Sequence, residues 1–327
     1  MIDLPLSVLE VSMVEDGRPT TEALANCAGI ADELESLGYG RIWFAEHHHS
    51  PAIGAFPPAV MTAHVAAVTS SIRVGSGGVL APNHAPVMVA EQFTTLAGLH
   101  PDRIDLGIGR GPGTFHEGTA RGLRRGAGPV TDDEYRGDVA AVLGLVAELQ
   151  FGALPEPWLL ASSDAGAELA AALGLPIAFA HHIRPDNTVR ALERYRAAFR
   201  PSRWAEEPRV LVCVQVVCGE TEERVAAMAR PMDVVKLGLL KGHSEEAFPS
   251  PEAAAARQFT TEEEDLLAGF RAHQAEGTPD HVGRRFAQLA DATGADELMM
   301  VTPVYDLGNR IRSFELVSEL KGDGTGT

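Results

Sequence analysis

Eight short runs of nearly unbroken apolar residues, with helix-like segments between them, constrain this chain more than any other feature. They lie at residues 6–11, 41–45, 73–80, 103–108, 157–161, 176–180, 209–217 and 297–301. A strand with one wet face alternates apolar and polar side chains. A strand that is apolar throughout is covered on both faces, which is the mark of a parallel sheet. The segments between them, at 23–37, 58–69, 87–99, 134–149, 165–173, 189–199, 222–235, 280–293 and 308–320, carry apolar residues at helical spacing. The first of these stops at Gly38, a residue suited to ending a helix. Eight strand–helix units in 327 residues predict an α/β fold, a (β/α)8 TIM barrel with insertions, in preference to an open sheet.

Two stretches exceed a plain connection. Residues 109–133 are rich in Gly and Arg, and residues 241–277 are acidic and Ala-rich. Long segments of this kind act as lids or binding loops. The second is expected to be a mobile lid, with a solvated helical insertion as the alternative. Residues 1–321 read as one domain and 322–327 as a frayed polar tail. The balance of 45 acidic against 27 basic residues, a net charge of −18, disfavours nucleic acid and anionic membranes as partners. No apolar run approaches the roughly 18 residues that a membrane span needs, and no basic leader precedes one, so a cytoplasmic location is expected. Cys27, Cys213 and Cys218 lack the spacing of a disulfide framework and read as core thiols.

In barrels of this type chemistry collects at the carboxyl ends of the strands. The second run ends in Glu46-His47-His48-His49, the third leads to Asn83-His84, and the sixth ends in His181-His182. Six of the twelve histidines therefore fall at predicted strand ends, where some are expected to be packed residues without a chemical role. The fourth run ends Gly107-Ile108-Gly109-Arg110, glycines that let a ligand approach backbone beside a planar cation suited to phosphate. Ser162-Ser163 before a helix offers hydroxyls and free N–H groups to an anion, or else an ordinary N-cap. Gly77-Gly78 inside an apolar strand is costly unless a ligand or an unusual backbone requires it. Neighbouring His47 and His48 would face opposite sides of a strand, and no metal-ligand spacing is present, so no metal site is expected.

With these residues in view, the chain resembles the bacterial-luciferase-like flavin-dependent monooxygenases nearly end to end. The likeness is carried by Trp43-Phe44-Ala45-Glu46-His47-His48, Arg73-Val74-Gly75-Ser76-Gly77-Gly78-Val79, Pro82-Asn83-His84-Ala85-Pro86 and Arg103-Ile104-Asp105-Leu106-Gly107-Ile108-Gly109-Arg110. It resumes at 158–176 and at Ala295-Asp296-Glu297-Leu298-Met299. The resemblance implies a (β/α)8 barrel that binds reduced FMN (FMNH2), delivered by a separate NAD(P)H-dependent flavin reductase. It implies O2 as cosubstrate, a peroxyflavin that oxygenates an organic substrate, and a homodimer. By the same resemblance His47 is the acid or base beside the flavin and Glu46 orients groups around it. Gly77-Gly78 matches a cis peptide beneath the flavin, and Arg110, Ser162, Ser163 and Gly166 match the phosphate site. His48, His84, His181 and His182 are the candidates for the substrate pocket. The chain departs from the family at Gly109, where a cysteine is frequent, and His49 stands at a variable position. The nearest likeness is to single-chain members beside natural-product pathways, including polyketide-tailoring epoxidases. That implies hydroxylation or epoxidation of a secondary metabolite, as in antibiotic biosynthesis. The alternatives are an F420-dependent oxidoreductase, luciferase-type aldehyde oxidation, and a flavin-binding protein without turnover.

Overall fold

The eight runs form eight parallel strands of one closed barrel. In the computed structural model, which describes residues 2–54, 57–149, 152–241 and 247–321, they are β1 (Leu6–Glu10), β2 (Arg41–Phe44), β3 (Arg73–Leu80), β4 (Ile104–Gly109), β5 (Glu156–Ala161), β6 (Ile177–Ala180), β7 (Val210–Cys218) and β9 (Glu297–Val301). Each pairs in parallel with its neighbours. The pairings β6–β7, β7–β9 and β9–β1 close the ring. Around it lie α1 (Thr20–Ser36), α2 (Pro58–Val68), α3 (Pro86–Leu99), α5 (Asp132–Glu148), α6 (Asp164–Leu173), α7 (Thr188–Ala198), α8 (Glu222–Leu240), α11 (Pro279–Thr293) and α12 (Leu307–Ser318). The strands are buried on both faces. Ile42, Phe44 and Val74 pack outward under the helices, and Leu9, Trp43, Trp158, Leu211 and Met299 fill the interior.

Both long stretches carry structure of their own. The first contains α4 (Glu117–Leu123), whose two glycines make it a weak helix former and which buries no residue. The second holds α9 (Pro251–Ala256), α10 (Thr261–Arg271) and β8 (Ala275–Gly277). It is therefore a helical insertion over its described part, and residues 242–246 lie outside the described residues. Capping by Ser250 and by the Thr260/Glu263 box starts the two helices. Three residues with a central glutamate carry no strand pattern, so β8 was invisible in the sequence. It forms by pairing with the end of β7. The tail at 322–327 also lies outside the described residues, and Cys27, Cys213 and Cys218 are buried free thiols.

The amino ends of the strands carry a buried ionic plug. Asp105, fully buried on β4, accepts hydrogen bonds at 2.8 Å from Arg41 Nη1, Trp43 Nε1 and Arg73 Nε. Arg41 Nε also donates to Glu297 at 2.8 Å, and its guanidinium lies 5.1 Å from the Trp158 ring centre. Above this layer β3 and β4 approach closely. A Cβ on Gly75 would lie 2.4 Å from the Asp105 carbonyl, and one on Gly107 would lie 2.1 Å from the Ser76 carbonyl. These glycines answer to sheet packing rather than to a ligand.

Candidate functional site

A cavity of about 860 Å³ opens at the carboxyl ends of the strands, within the usual range for cofactor and ligand sites. His47, just past β2, lines it, as does Glu46. Gly77 and Gly78 form part of its wall, and the peptide between them is cis. A Cβ on Gly77 would come 2.5 Å from Leu9, and one on Gly78 would come 2.7 Å from the Gly107 carbonyl. Gly109 also lines the cavity. A Cβ there would start 3.3 Å from the end of the Leu80 side chain, which would have to give by a few tenths of an ångström.

Glu46 is the centre of a buried network. Its carboxylate accepts from His48 Nε2 at 2.7 Å, from His84 Nε2 at 2.9 Å and from the Leu80 backbone N–H at 2.9 Å. Burial alone would raise its pKa, but the bonds from His48 and His84 outweigh it and hold the group down at about 2. His48 and His84 are thus taken up by Glu46 and are not among the residues lining the cavity. His181 is not among them either. It is buried, with Nδ1 on the Thr188 hydroxyl at 2.8 Å and Nε2 donating to the His273 carbonyl at 3.1 Å. Each of these three imidazoles, expected at the substrate pocket, is instead held by a protein partner and lies outside the residues that line this cavity. His49 is exposed, bonds Thr119 at 2.8 Å and stacks on His116.

His182 does line the cavity. Its Nδ1 lies 3.2 Å from the Cys213 carbonyl, which can only accept, so Nδ1 carries the proton and Nε2 is left as an acceptor. Burial pushes its pKa down to about 4. Because the folded-state value is depressed, its contribution is present above the unfolded pKa of about 6.5 and is lost as pH falls toward 4. Urea unfolding at pH 7 and pH 4.5 should show roughly 2 kcal/mol of acid-dependent loss that disappears in His182→Asn. An unchanged pH dependence in that variant would remove His182 as its source.

One end of the cavity is suited to a phosphate. Ser163 caps α6 by accepting from the Gly166 N–H at 3.3 Å, so the sequence's N-cap alternative is correct for that hydroxyl. Ser162 and the first turn of α6 still face the cavity, at the positive end of a helix dipole. Gly166 is needed there, because a Cβ would lie 2.8 Å from the Ala161 side chain. Arg110 reaches the same end, paired with Asp132 and donating to the Val130 carbonyl at 2.7 Å. Its side chain is 40% exposed, so the pair with Asp132 is weak and exchangeable. Sequence reasoning missed Arg136 and Tyr135, which line this end from α5. The Tyr135 hydroxyl is buried with no partner among the described residues, an orphan that a ligand oxygen would satisfy. The run from 134 to 149 could be read only as an amphipathic helix, so which of its polar side chains face the cavity was hidden.

The other end is apolar and is walled by α8 and one residue of the insertion. Met232, Val235 and Leu239 of α8 line it with Phe248. Phe248 is anchored across the mouth: its N–H donates to the Val14 carbonyl at 3.0 Å and its carbonyl accepts from Asp16 at 2.9 Å. Its ring stacks on Tyr305. Among the described residues no group of three or more His, Cys, Asp or Glu could hold a metal ion, and no helix is long and apolar enough to cross a membrane.

A parallel eight-stranded barrel whose cavity at the carboxyl ends of the strands carries a helix N-terminus and a strand-end imidazole is the architecture of a barrel enzyme. Residues 9–297 match the family model for luciferase-like monooxygenases, and the chain belongs to that family. It is 32% identical to a luciferase-like monooxygenase of Escherichia coli (strain K12), with 97% of each chain covered. It is 28% identical to the N-acetyl-S-alkylcysteine monooxygenase of Bacillus subtilis (strain 168), over 96% of this chain and 97% of that one. The crystal structure of apo-MsnO8 superposes with a TM-score of 0.90 at 35% identity, covering 97% of this chain and 98% of that one.

Proposed function

We propose that this chain is the oxygenase component of a two-component system, taking reduced FMN from a separate NAD(P)H-dependent reductase and using O2 to hydroxylate or epoxidise a secondary metabolite such as a polyketide. The observation that carries the reading is one cavity with a phosphate-binding end, a strand-end histidine and a water-poor apolar end. Arg110, Arg136, Ser162 and the first turn of α6 would hold the phosphate. Two acids also line this end: Glu168 pairs with Arg194, and Asp132 pairs with Arg110, so the phosphate would displace Asp132 from that arginine. Bound reduced FMN would supply the electrons that send one oxygen atom of O2 into the substrate and the other to water. His47 is placed to hold or move a proton in that cavity. Glu46 acts as a positioning residue, tying the Leu80 backbone to His48 and His84. The apolar side chains of α8 and Phe248 exclude water that would divert the reaction to hydrogen peroxide.

Anaerobic titration with photoreduced FMN, followed by mixing with O2, tests this. Saturable binding and a slowed, substrate-dependent reoxidation support it. Preference for reduced F420 would instead mean hydride transfer, and binding without oxygen chemistry would mean a flavin carrier. Arg110→Ala is expected to weaken reduced FMN binding by about tenfold to a hundredfold, the worth of one charge-assisted hydrogen bond. Equal affinity in a fluorescence titration would place the phosphate elsewhere.

The homodimer belongs to the same proposal. α2 is apolar apart from Thr62 and His64, and it exposes Val60 and Val68, while α3 exposes Met88 and Leu99, with Leu99 68% exposed. A second copy of this chain meeting the same two helices would cover these side chains. Sedimentation is expected to give a dimer. A monomer at micromolar concentration would count against that face.

A further inference from the structure

The apolar end of the cavity is not uniformly apolar. Two polar side chains, His182 and Gln215, enter it from adjacent strand ends. Ala180, the last residue of β6, pairs with Cys213 of β7; His182 lies in the turn that follows, its N–H on the Cys213 carbonyl at 3.0 Å, and Gln215 lies two residues beyond Cys213 on β7. Both are oriented from behind. The Cys213 carbonyl takes the His182 Nδ1 proton. The Gln215 amide nitrogen donates to Glu276 Oε1 at 2.5 Å. This leaves His182 Nε2 and the Gln215 amide oxygen as two acceptors for a ligand, with the second amide N–H of Gln215 as the one remaining donor. The positively charged residues that line the cavity, Arg110 and Arg136, are at its phosphate end.

Resting on the proposed function above, we infer that His182 and Gln215 form a paired acceptor that selects a neutral, largely apolar substrate bearing an O–H or N–H donor. A carboxylate would meet these two acceptors with one amide N–H to set against them, and the nearby cation, Lys236, does not line the cavity and is shared with Glu276 and Asp233, so desolvating it would go largely uncompensated. A phenol, an alcohol or an amide N–H would satisfy both. His182 and Gln215 therefore determine which substrate is held and in what orientation, while proton handling stays with His47.

Calorimetric titration of the flavin-free protein with 4-hexylphenol, 4-hexylanisole and 4-hexylbenzoate tests this, since the three differ in the one polar group. The phenol is expected to bind about tenfold tighter than the ether, the effect of one net hydrogen bond, and the benzoate weakest. His182→Phe and Gln215→Leu should each reduce the phenol–ether ratio toward one while ether affinity holds. Equal binding of phenol and ether by the wild-type protein overturns the inference without recourse to any variant, as does tightest binding of the benzoate or binding of none of the three. A ratio that survives in both folded variants, with FMN affinity reduced instead, would assign the pair to the flavin. Failure of reduced FMN to bind would sink the monooxygenase reading and leave this ligand preference standing, so the two failures are distinguishable.

Discussion

Asp105→Ala is expected to lower the stability of the protein by about 3–5 kcal/mol, the cost of leaving buried charges without their partner. Arg41, with a side chain 7% exposed, would lose one of its two carboxylates, and Trp43 would lose the acceptor of its indole N–H. Denaturant unfolding followed by tryptophan fluorescence measures it directly, because Trp43 and Trp158 sit above the plug. Asp105→Asn separates charge from shape. It keeps an acceptor for Trp43 but not the charge for Arg41 and Arg73, so it should fall between wild type and alanine. A loss under 1 kcal/mol in the alanine variant would mean that the plug is solvated and contributes as little as a surface pair.

His47→Ala is expected to leave reduced FMN affinity within a few-fold and to lower oxygenated product by about a hundredfold or more, the magnitude of general acid–base catalysis. The residues proposed to hold the phosphate follow β4 and β5 or lie on α5 and α6, away from β2, so binding and chemistry should separate in this variant. Oxygen consumption and hydrogen peroxide are the readouts, with peroxide rising as product falls. Unchanged coupling of oxygen to product would remove His47 from the proton inventory and leave Glu46 and its imidazoles to account for it.

How much of this could be read from the chain depends on the range of the forces involved. β3 and β9 were legible to the residue, at 73–80 and 297–301, because each is a run of small and apolar residues opened by a single charged one. The family motifs brought Arg110, Ser162, Ser163, Gly166 and His47 to one list, and the fold puts them on one cavity. The ionic plug was not legible. Arg41 and Arg73 look like ordinary polar strand starts, and their partner Asp105 is 64 residues away from Arg41. The histidines divided for a similar reason. Sequence shows that His48, His84 and His181 reach the mouth, but not that Glu46, Thr188 and the His273 carbonyl are there to claim them. Gln215 sits inside an unbroken apolar run, a polar residue that burial alone would disfavour and that only Glu276, 61 residues on, explains.

The plug at one end of the barrel and the α8–Phe248 wall at the other share no side chain. Changes at positions 232, 235, 239 and 248 should therefore add to changes at the plug with little coupling. A laboratory lineage could first reinforce the closed base and then vary the mouth freely, because a loss of fit at the rim would not be compounded by a loss of folding. The same separation lets one scaffold accept many different guests over generations while its foundation stays untouched.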